Sequence, residues 1–344
     1  MSILKESVER ALRRETTEVV PVGIFLGGSW PAINSGNTLE SLVGDHVRTA
    51  EIFYEANKRL QADLLMVGAG ATAILIKGLG GKIKFRGKGA PDIISCPIES
   101  KDDLYGLNIH KAFEDPDVNW IINTAKHIAK LNNDERMILA SGRAPFTLAA
   151  QFYGLEKTCK AIYKDKRFAH ELLEKTTELS IAYFTKMILS GNVHGAFIAD
   201  PSASGDVLSI KHFEEFVLPY TKRVVSAVKE LNKPSILHIC GDITDRLHLI
   251  PDTQVHCISL DSKVEMLNAK KILGEKLCIA GNVCPTEVLE FGSLKEVVDA
   301  TNECIKKGAG EGGFILMPGC DLAGGVPEVN IKAFVETAHN WKKN

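Results

Sequence analysis

One histidine and two cysteines stand at the ends of short apolar stretches, where their side chains could hold a metal ion. His238 and Cys240 close the apolar run 235–240, and Cys320 follows a second run, 313–317, and a Pro-Gly pair. Side chains alternate along a β-strand with a period of two residues, so His238 and Cys240 face the same side, roughly 6–7 Å apart at Cα. That separation suits two ligands of one ion.

The chemistry of these three side chains favours zinc. An imidazole nitrogen and two thiolates are common Zn²⁺ ligands, and three protein ligands with a fourth position for water or substrate are typical of a catalytic site. The same residues also have an ordinary interpretation, since free cysteine is often buried as a small apolar side chain. A histidine in a strand is commonly a core residue with a hydrogen-bonding partner. The fold decides between the two interpretations.

Composition narrows the classes of protein to consider. The chain has 344 residues, 45% of them hydrophobic, and a formal net charge of −2. This charge gives no sign of a nucleic-acid partner, and no apolar run approaches the roughly 20 residues of a membrane span. The charged N-terminus does not resemble a signal peptide. The eight cysteines lack a disulfide-like spacing, so we expect reduced thiols and a cytoplasmic location.

Short apolar strands alternate with helical stretches along the chain. Apolar runs that end in Gly, Asp or Asn predict eight strands, at 19–26, 62–67, 136–140, 195–199, 235–240, 257–260, 277–280 and 313–317. Helical periodicity predicts helices at 2–14, 39–60, 118–131, 146–152, 167–189, 210–231, 244–250, 264–273, 294–307 and 329–341. The Gly- and Lys-rich residues 78–91 predict a hairpin excursion after the second strand.

Eight strand–helix repeats predict an α/β fold, a single (β/α)8 TIM barrel with an N-terminal helical extension, over residues 1–344 as one domain. An open, doubly wound parallel sheet is the alternative. Active sites of such barrels lie at the carboxyl ends of the strands. His238, Cys240 and Cys320 would then share one rim, and four further polar residues end strands on the same rim. They are Asp200, Asp242, Asp261 and Asn282. Packing alone does not account for this gathering of polar residues, which favours the metal site.

With these residues in view, the sequence resembles the uroporphyrinogen decarboxylase superfamily over nearly its whole length. The resemblance is carried by residues 142–149, 213–220, 237–241, 281–285 and 314–320. It implies an eight-stranded α/β barrel, in agreement with the strand count.

Two branches of that superfamily differ at the site. The decarboxylases carry an Arg-rich motif after the first strand, whereas residues 25–31 here contain no arginine. The corrinoid-dependent methyltransferases, including the methylcobalamin:coenzyme M enzymes, carry a His-x-Cys and a distant Cys as zinc ligands. His238, Cys240 and Cys320 match that pattern in type, order and approximate spacing. The resemblance therefore implies a methyltransferase with Zn²⁺, a small thiol as methyl acceptor, and methylcobalamin carried by a separate corrinoid-binding protein.

Four other residues at the strand ends are candidates for a role in the site. Arg143 could bind an anionic tail of the acceptor, such as a sulfonate, or form a salt bridge with a neighbouring carboxylate. Asp200 could orient substrate or cap a turn before Pro201. Asn282 is a candidate substrate-binding residue by its position at a strand end. Cys284 could be a spare ligand or redox thiol, or simply a half-buried thiol in a turn.

Four functions remain open at this point. The first is methyl transfer from a corrinoid to a thiol. The second is the donor-side reaction, in which a methoxylated or methylamine substrate is demethylated onto a corrinoid protein. The third is decarboxylation of a tetrapyrrole, and the fourth is a non-catalytic binding role.

Overall fold

The computed structural model describes residues 2–25, 29–68, 72–87 and 89–342. Within these ranges seven strands form one parallel sheet and two form an antiparallel hairpin. The strands are β1 (Leu64–Val67), β2 (Lys82–Lys84), β3 (Asp92–Ser95), β4 (Met137–Arg143), β5 (Gly195–Ala199), β6 (Ser235–Ile239), β7 (Cys257–Leu260), β8 (Cys278–Val283) and β9 (Phe314–Pro318).

Helices alternate with the strands of the large sheet. They are α1 (Ile3–Leu12), α2 (Ser29–Asn34), α3 (Leu39–Leu42), α4 (His46–Leu60), α5 (Thr72–Gly78), α6 (Lys101–Gly106), α7 (Pro116–Asn132), α8 (Pro145–Tyr153), α9 (Leu155–Lys164), α10 (Lys166–Ser190), α11 (Ile210–Phe216), α12 (Leu218–Glu230), α13 (Met266–Leu273), α14 (Leu294–Gly308) and α15 (Glu328–His339). Two 3-10 helices, Ile109–Glu114 and Thr244–Thr253, and a π-helical turn, Pro285–Glu290, complete the connections. None of the helices in the described ranges is long and apolar enough to cross a membrane.

The large sheet runs in the order β1-β4-β5-β6-β7-β8-β9, so each strand lies beside the next parallel strand along the chain. Its two edges are joined by a short segment: Val22 forms a parallel bridge with Leu316 of β9, and Gly23 forms one with Leu64 of β1. The Gly23 N–H donates to the Leu316 carbonyl at 2.9 Å. The α/β fold with a parallel sheet is thus confirmed, and this curled arrangement is consistent with the predicted barrel.

The sheet separates two apolar clusters. Side chains on its concave face, such as Met66, Leu139 and Phe197, pack with one another and with Val8 and Leu12 of α1. The other face of the strands packs against the surrounding helices. Because α1 belongs to the inner cluster, the N-terminal helix covers one end of the curled sheet. The last residues of β6 and β9 lie at the other end.

Several elements differ from their predicted bounds. The first predicted strand, 19–26, is present only as the bridges at Val22 and Gly23, and Leu26 lies outside the described residues. The predicted helix 39–60 is divided into α3 and α4, because Gly44 adopts a left-handed φ of 89° and Asp45 caps the second helix.

The predicted helix 210–231 is also divided, into α11 and α12. Pro219 lacks an N–H and disfavours helical backbone in the residue before it, so the chain restarts a helix after Val217. The predicted hairpin excursion is confirmed as β2 and β3, although it extends beyond Pro91, since Lys82 pairs with Ser95. The segment predicted as helix 244–250 is a 3-10 helix that continues to Thr253.

Candidate metal centre

The three predicted ligands meet at the carboxyl ends of β6 and β9. His238 is the fourth residue of β6, Cys240 follows the strand directly, and Cys320 lies two residues after β9. The His238 Nε2 atom lies 3.1 Å from the Cys240 Sγ atom, which lies 3.0 Å from the Cys320 Sγ atom. The three ligand atoms all lie within 4.8 Å of one another. Two strands eighty residues apart thus bring one imidazole and two thiols to a common point.

Neighbouring groups fix the orientation of the His238 ring. Its Nδ1 atom lies 3.1 Å from the Ser259 hydroxyl and 3.2 Å from the Ser259 carbonyl oxygen. A proton on Nδ1 satisfies that carbonyl and leaves the lone pair of Nε2 directed at the cysteines, the arrangement found behind metal-bound histidines. The ring of Phe197 stacks on the imidazole at 5.9 Å, and Phe25 contacts it at 5.1 Å. The orientation of the ring is therefore set by its protein neighbours.

The two thiols perturb each other's ionisation. The hydrogen bond between the Cys240 and Cys320 sulfur atoms lowers the pKa of Cys320, and His238 adds a further contribution. The same hydrogen bond, together with burial, raises the pKa of Cys240. Cys320 is therefore the thiol of the pair that ionises more easily, and a bound cation would stabilise both sulfurs as thiolates.

The donor set fits Zn²⁺. Two sulfurs and one imidazole nitrogen are soft and borderline donors, and zinc combines them in a tetrahedral arrangement with a fourth ligand from solvent or substrate. Among the residues that the structure describes, this is the one group of three or more potential ligands that converge. Cys284, half-buried at the start of the π-helical turn, is not part of it.

A glycine next to each cysteine allows the backbone turns that bring the Cys240 and Cys320 sulfur atoms together. Gly241 has a φ of 92°, and its N–H donates to the Asp261 carboxylate at 2.9 Å. Gly319 lies so close to the loop after β7 that a Cβ atom there would lie 2.5 Å from the Ser262 nitrogen. Asp261 therefore holds the turn that carries Cys240, while the exposed Asp242 caps the following turn through the Thr244 N–H.

Arg143 ends β4, and Asp200 directly follows β5, the strand between β4 and the strand that carries His238. Asp200 is fully buried; its Oδ1 accepts hydrogen bonds from the Thr147 hydroxyl at 2.6 Å and the Thr147 N–H at 3.0 Å. Burial raises the pKa of Asp200 to about 7, against the opposing effects of Thr147 and Arg143. The Asp200 N–H donates to the His238 carbonyl at 2.7 Å, so this aspartate also joins the strand that carries the histidine.

The Asn282 side chain forms its hydrogen bonds with backbone carbonyl groups. Its amide donates to the Asp261 carbonyl at 3.0 Å and to the Val264 carbonyl at 2.7 Å. These bonds tie the end of β8 to the loop after β7, and they occupy both amide hydrogens. The structure thus places Asn282 at the predicted rim position with its donors engaged.

Asp321 is a site residue that the sequence analysis did not select. It follows Cys320 directly, and burial together with the Cys320 thiolate raises its pKa. Its Oδ1 atom is inaccessible to solvent and has no hydrogen-bond partner among the described residues. The signal in the sequence was a carboxylate directly after a candidate ligand at a strand end.

Comparison with known proteins supports the assignment made from the sequence. The model of the family described as uroporphyrinogen decarboxylase (URO-D) matches residues 4–341. The methylcobamide:CoM methyltransferase MtbA of Methanosarcina acetivorans is 27% identical over 352 aligned positions, which cover 98% of both chains. The uroporphyrinogen decarboxylase of Trichodesmium erythraeum is 33% identical over 72% of this chain and 69% of its own.

A solved structure described as a methyltransferase from Methanosarcina mazei superposes with a TM-score of 0.88 and covers 98% of both chains at 22% sequence identity. It therefore shares the fold. The predicted resemblance is confirmed, and its methyltransferase branch is supported by a relative that aligns along the full length of both chains. The chain belongs to the uroporphyrinogen decarboxylase (URO-D) family.

Proposed function

We propose that this chain is a zinc-dependent methyltransferase that moves a methyl group between a corrinoid and a small thiol. The observation that carries the proposal is the convergence of His238, Cys240 and Cys320 within 4.8 Å at the ends of β6 and β9. The names of full-length relatives support the reaction class and make coenzyme M the first thiol to test.

His238, Cys240 and Cys320 would hold the metal. Zn²⁺, when bound, supplies a Lewis acid that lowers the pKa of an acceptor thiol, so that a thiolate is available at neutral pH. The chain positions the acceptor: Ser259 orients the imidazole, and Asp261 holds the Gly241 turn. Arg143 would bind an anionic group on the acceptor, with Asp200 as a second substrate contact. Asn282 was predicted to contact the substrate. It would instead stabilise the loop after β7, whose Asp261 carbonyl accepts a hydrogen bond from its side-chain amide.

We further propose that the curled sheet is a single (β/α)8 barrel over residues 1–344, with Val22 and Gly23 in the place of its first strand. The rim is then the open end of the barrel. A corrinoid is too large for the interior of an eight-stranded barrel, which is filled by side chains. The methyl donor would therefore arrive on a separate corrinoid-binding protein that docks at this rim.

The test is demethylation of methylcobalamin by purified, zinc-loaded protein in the presence of coenzyme M and other small thiols. Loss of the cobalt–carbon absorbance measures the reaction, which should stop with a chelator and recover with zinc. Replacement of Cys159, a half-buried cysteine on α9 far along the chain from the site, with alanine provides a control that should keep the activity.

Two results would change the proposal. Methyl transfer from a methoxylated or methylamine substrate to reduced corrinoid, without activity toward thiols, would assign the donor-side reaction. No corrinoid turnover in either direction with a zinc-loaded sample would rule out the methyltransferase.

A further inference from the structure

A second cavity lies at the end of the sheet opposite the metal ligands. Its volume is about 450 Å³, within the range of roughly 300–1,000 Å³ that is typical of small-molecule sites. Four parts of the chain enclose it: α1, the residues directly before β5 and β7, and the connection between α12 and β6. None of the three metal ligands borders this cavity, so it is a separate candidate binding site.

Two lysines of the connection between α12 and β6 border the cavity without an acidic partner. Lys229 is the penultimate residue of α12, and the chain reverses at Asn232, whose φ is 56°. The Lys233 N–H donates to the Val228 carbonyl at 3.3 Å, so Lys233 returns to the end of the helix that carries Lys229. Neither ammonium group forms a salt bridge within the described ranges. A lysine in the last helical turn also stabilises the helix dipole, but that role does not require a cavity.

The other cationic groups at the cavity are paired with carboxylates. Lys5 of α1 forms a salt bridge with Asp134, and Arg13 forms one with Glu15 at 2.7 Å. Among the described residues that line the cavity, Glu9 is the one carboxylate. The two unpaired lysines therefore leave the cavity with an excess of positive charge.

His256 supplies a third hydrogen-bond donor. This half-buried residue lines the cavity, and its Nδ1 atom accepts the Ser235 N–H at 3.2 Å. The neutral imidazole therefore carries its proton on Nε2, and no residue in the described part of the chain accepts a hydrogen bond from that atom. Burial and, to a smaller extent, Lys229 lower the pKa of His256. The ring is thus a neutral donor at pH 7.

These three donors fit one terminal phosphate group. A phosphate monoester presents three acceptor oxygens and carries a charge of about −1.5 to −2 at neutral pH. Two ammonium groups and one imidazole N–H would match both the charge and the number of oxygens. Phosphate diesters, as in nucleic acids, present only two such oxygens. The cavity also has an apolar wall, to which Leu12 and Met137 contribute, and it is larger than a phosphate ion requires.

We propose that this cavity binds a small organic phosphate monoester. Its phosphate group would lie between Lys229, Lys233 and the Nε2 atom of His256. Its organic part would lie against Leu12 and Met137, where Glu9 could accept a hydrogen bond from a hydroxyl group. The site lies at the amino ends of the strands, away from the metal centre, and its occupation does not depend on the proposed methyl transfer.

Calorimetric titration of the zinc-loaded protein at constant ionic strength measures this binding without turnover. The probes are two pairs that differ by the phosphate group: ribose 5-phosphate with ribose, and AMP with adenosine. At least one ester should bind at one site per chain, about tenfold or more tightly than its parent, because the charge-assisted hydrogen bonds to the phosphate are absent in the parent.

The double variant Lys229→Gln/Lys233→Gln tests the residue assignment. It should bind the ester about tenfold or more weakly than the unaltered protein, the value of at least one hydrogen bond to a charged group. The double variant Lys211→Gln/Lys222→Gln is the matched control. It removes the same number of charges from exposed positions on α11 and α12 that do not border the cavity, and it should keep the wild-type affinity. Circular dichroism checks that both variants are folded.

Two results would overturn the inference. If neither ester binds more tightly than its parent, the cavity is not a phosphate site. An equal loss of affinity in the two double variants would show an effect of net charge alone and would reject the assignment to Lys229 and Lys233. Because the titration uses neither a corrinoid nor a thiol, its outcome is independent of the test of methyl transfer.

Discussion

Cys240 lies 3.1 Å from the His238 Nε2 atom and 3.0 Å from the Cys320 Sγ atom, so the two cysteines and the histidine form one cluster. Replacing either cysteine with alanine removes a third of the protein ligands, so we expect the zinc content to fall from about one per chain to near zero. The chain should stay folded, because the apolar clusters on both faces of the sheet are untouched. Metal analysis together with circular dichroism measures both effects.

Cys159→Ala should keep its zinc and is the matched control, since this thiol lies on α9 outside the cluster. A Cys240→Ala or Cys320→Ala variant that retained full zinc would show that the ligand assignment is wrong.

At the level of single residues, the sequence predicted which side chains meet but not what each one contacts. The period-two alternation of β6 predicted that His238 and Cys240 lie on one face. Cys320 was predicted to lie near them because the carboxyl ends of parallel strands meet at the same edge of the sheet. The engagement of the Asn282 amide with two carbonyls could not be predicted, because it depends on the path of the loop after β7. Asp321 directly follows a candidate ligand, but the burial that distinguishes it from other aspartates is visible only in the structure.

Among the elements, the turn after β6 determines where Cys240 points. Gly241 has a φ of 92°, and a Cβ atom there would lie 2.5 Å from Asp206 Oδ2 and 2.8 Å from Ser204 Oγ. Gly241→Ala should therefore move the turn, weaken the bond to Asp261 and lower the zinc affinity about tenfold or more, the range found when groups that orient metal ligands are altered. Competition with a chromophoric chelator measures the affinity.

Gly154→Ala provides the matched control for backbone strain. Gly154 has the same φ of 92°, and a Cβ atom added there would have no neighbouring atom within 4 Å. This variant should lose about 1–2 kcal/mol of stability from left-handed backbone alone and keep its zinc affinity. Equal zinc affinities in the two variants would contradict a role of the Gly241 turn in placing Cys240.

The order of the elements followed from the sequence, while their exact ends depended on single residues. Apolar runs located the parallel strands. β4 nevertheless continues through Ser141, Gly142 and Arg143, and its end was predicted too early because these residues are not apolar. The divisions of the two long helices also have local causes. Gly44 interrupts the first, and Pro219 restarts the second. The helical spacing of apolar residues, judged over twenty or so positions, does not reveal such interruptions.

For the whole molecule, closure of the sheet depends on a segment too short to be recognised as a strand. Val22 and Gly23 pair with β9 and β1, and the Val22 N–H also donates to the Asp63 carboxylate at 2.7 Å. The same carboxylate oxygen lies 3.0 Å from His339 Nε2 of the last helix. A buried aspartate thus ties the closing segment to β1 and to the C-terminal helix, a long-range arrangement that no local pattern in the sequence indicates.

The stability of the molecule should depend on pH through a half-buried histidine at the opposite end of the strands. His194 precedes β5; its Nδ1 accepts the Ile138 N–H at 2.9 Å, and its Nε2 lies 3.0 Å from Asp134. Burial lowers the pKa of His194 to about 4. Lys5 and Lys233 lower it further, and Asp134 opposes them.

The unfolded state, with a pKa near 6.5, binds the His194 proton more readily than the folded state does. The free energy of unfolding is therefore highest above pH 6.5 and decreases as the pH falls from about 6.5 towards 4. Between pH 7 and pH 5 this residue should account for a loss of about 2 kcal/mol. Denaturant unfolding at a series of pH values measures the slope.

His194→Asn removes the titrating group and keeps an acceptor for the Ile138 N–H, so the loss of stability between pH 7 and pH 5 should decrease by about 2 kcal/mol relative to the unaltered protein. His256→Asn is the comparison, because His256 holds an equivalent position before β7 and accepts the Ser235 N–H at 3.2 Å. Burial lowers the pKa of His256 as well, with a contribution from Lys229. The two histidines should therefore act in the same direction, and the double variant should show the smallest slope. An unchanged slope in His194→Asn would mean that its imidazole is protonated as easily in the folded chain as in the unfolded one, contrary to its buried contacts.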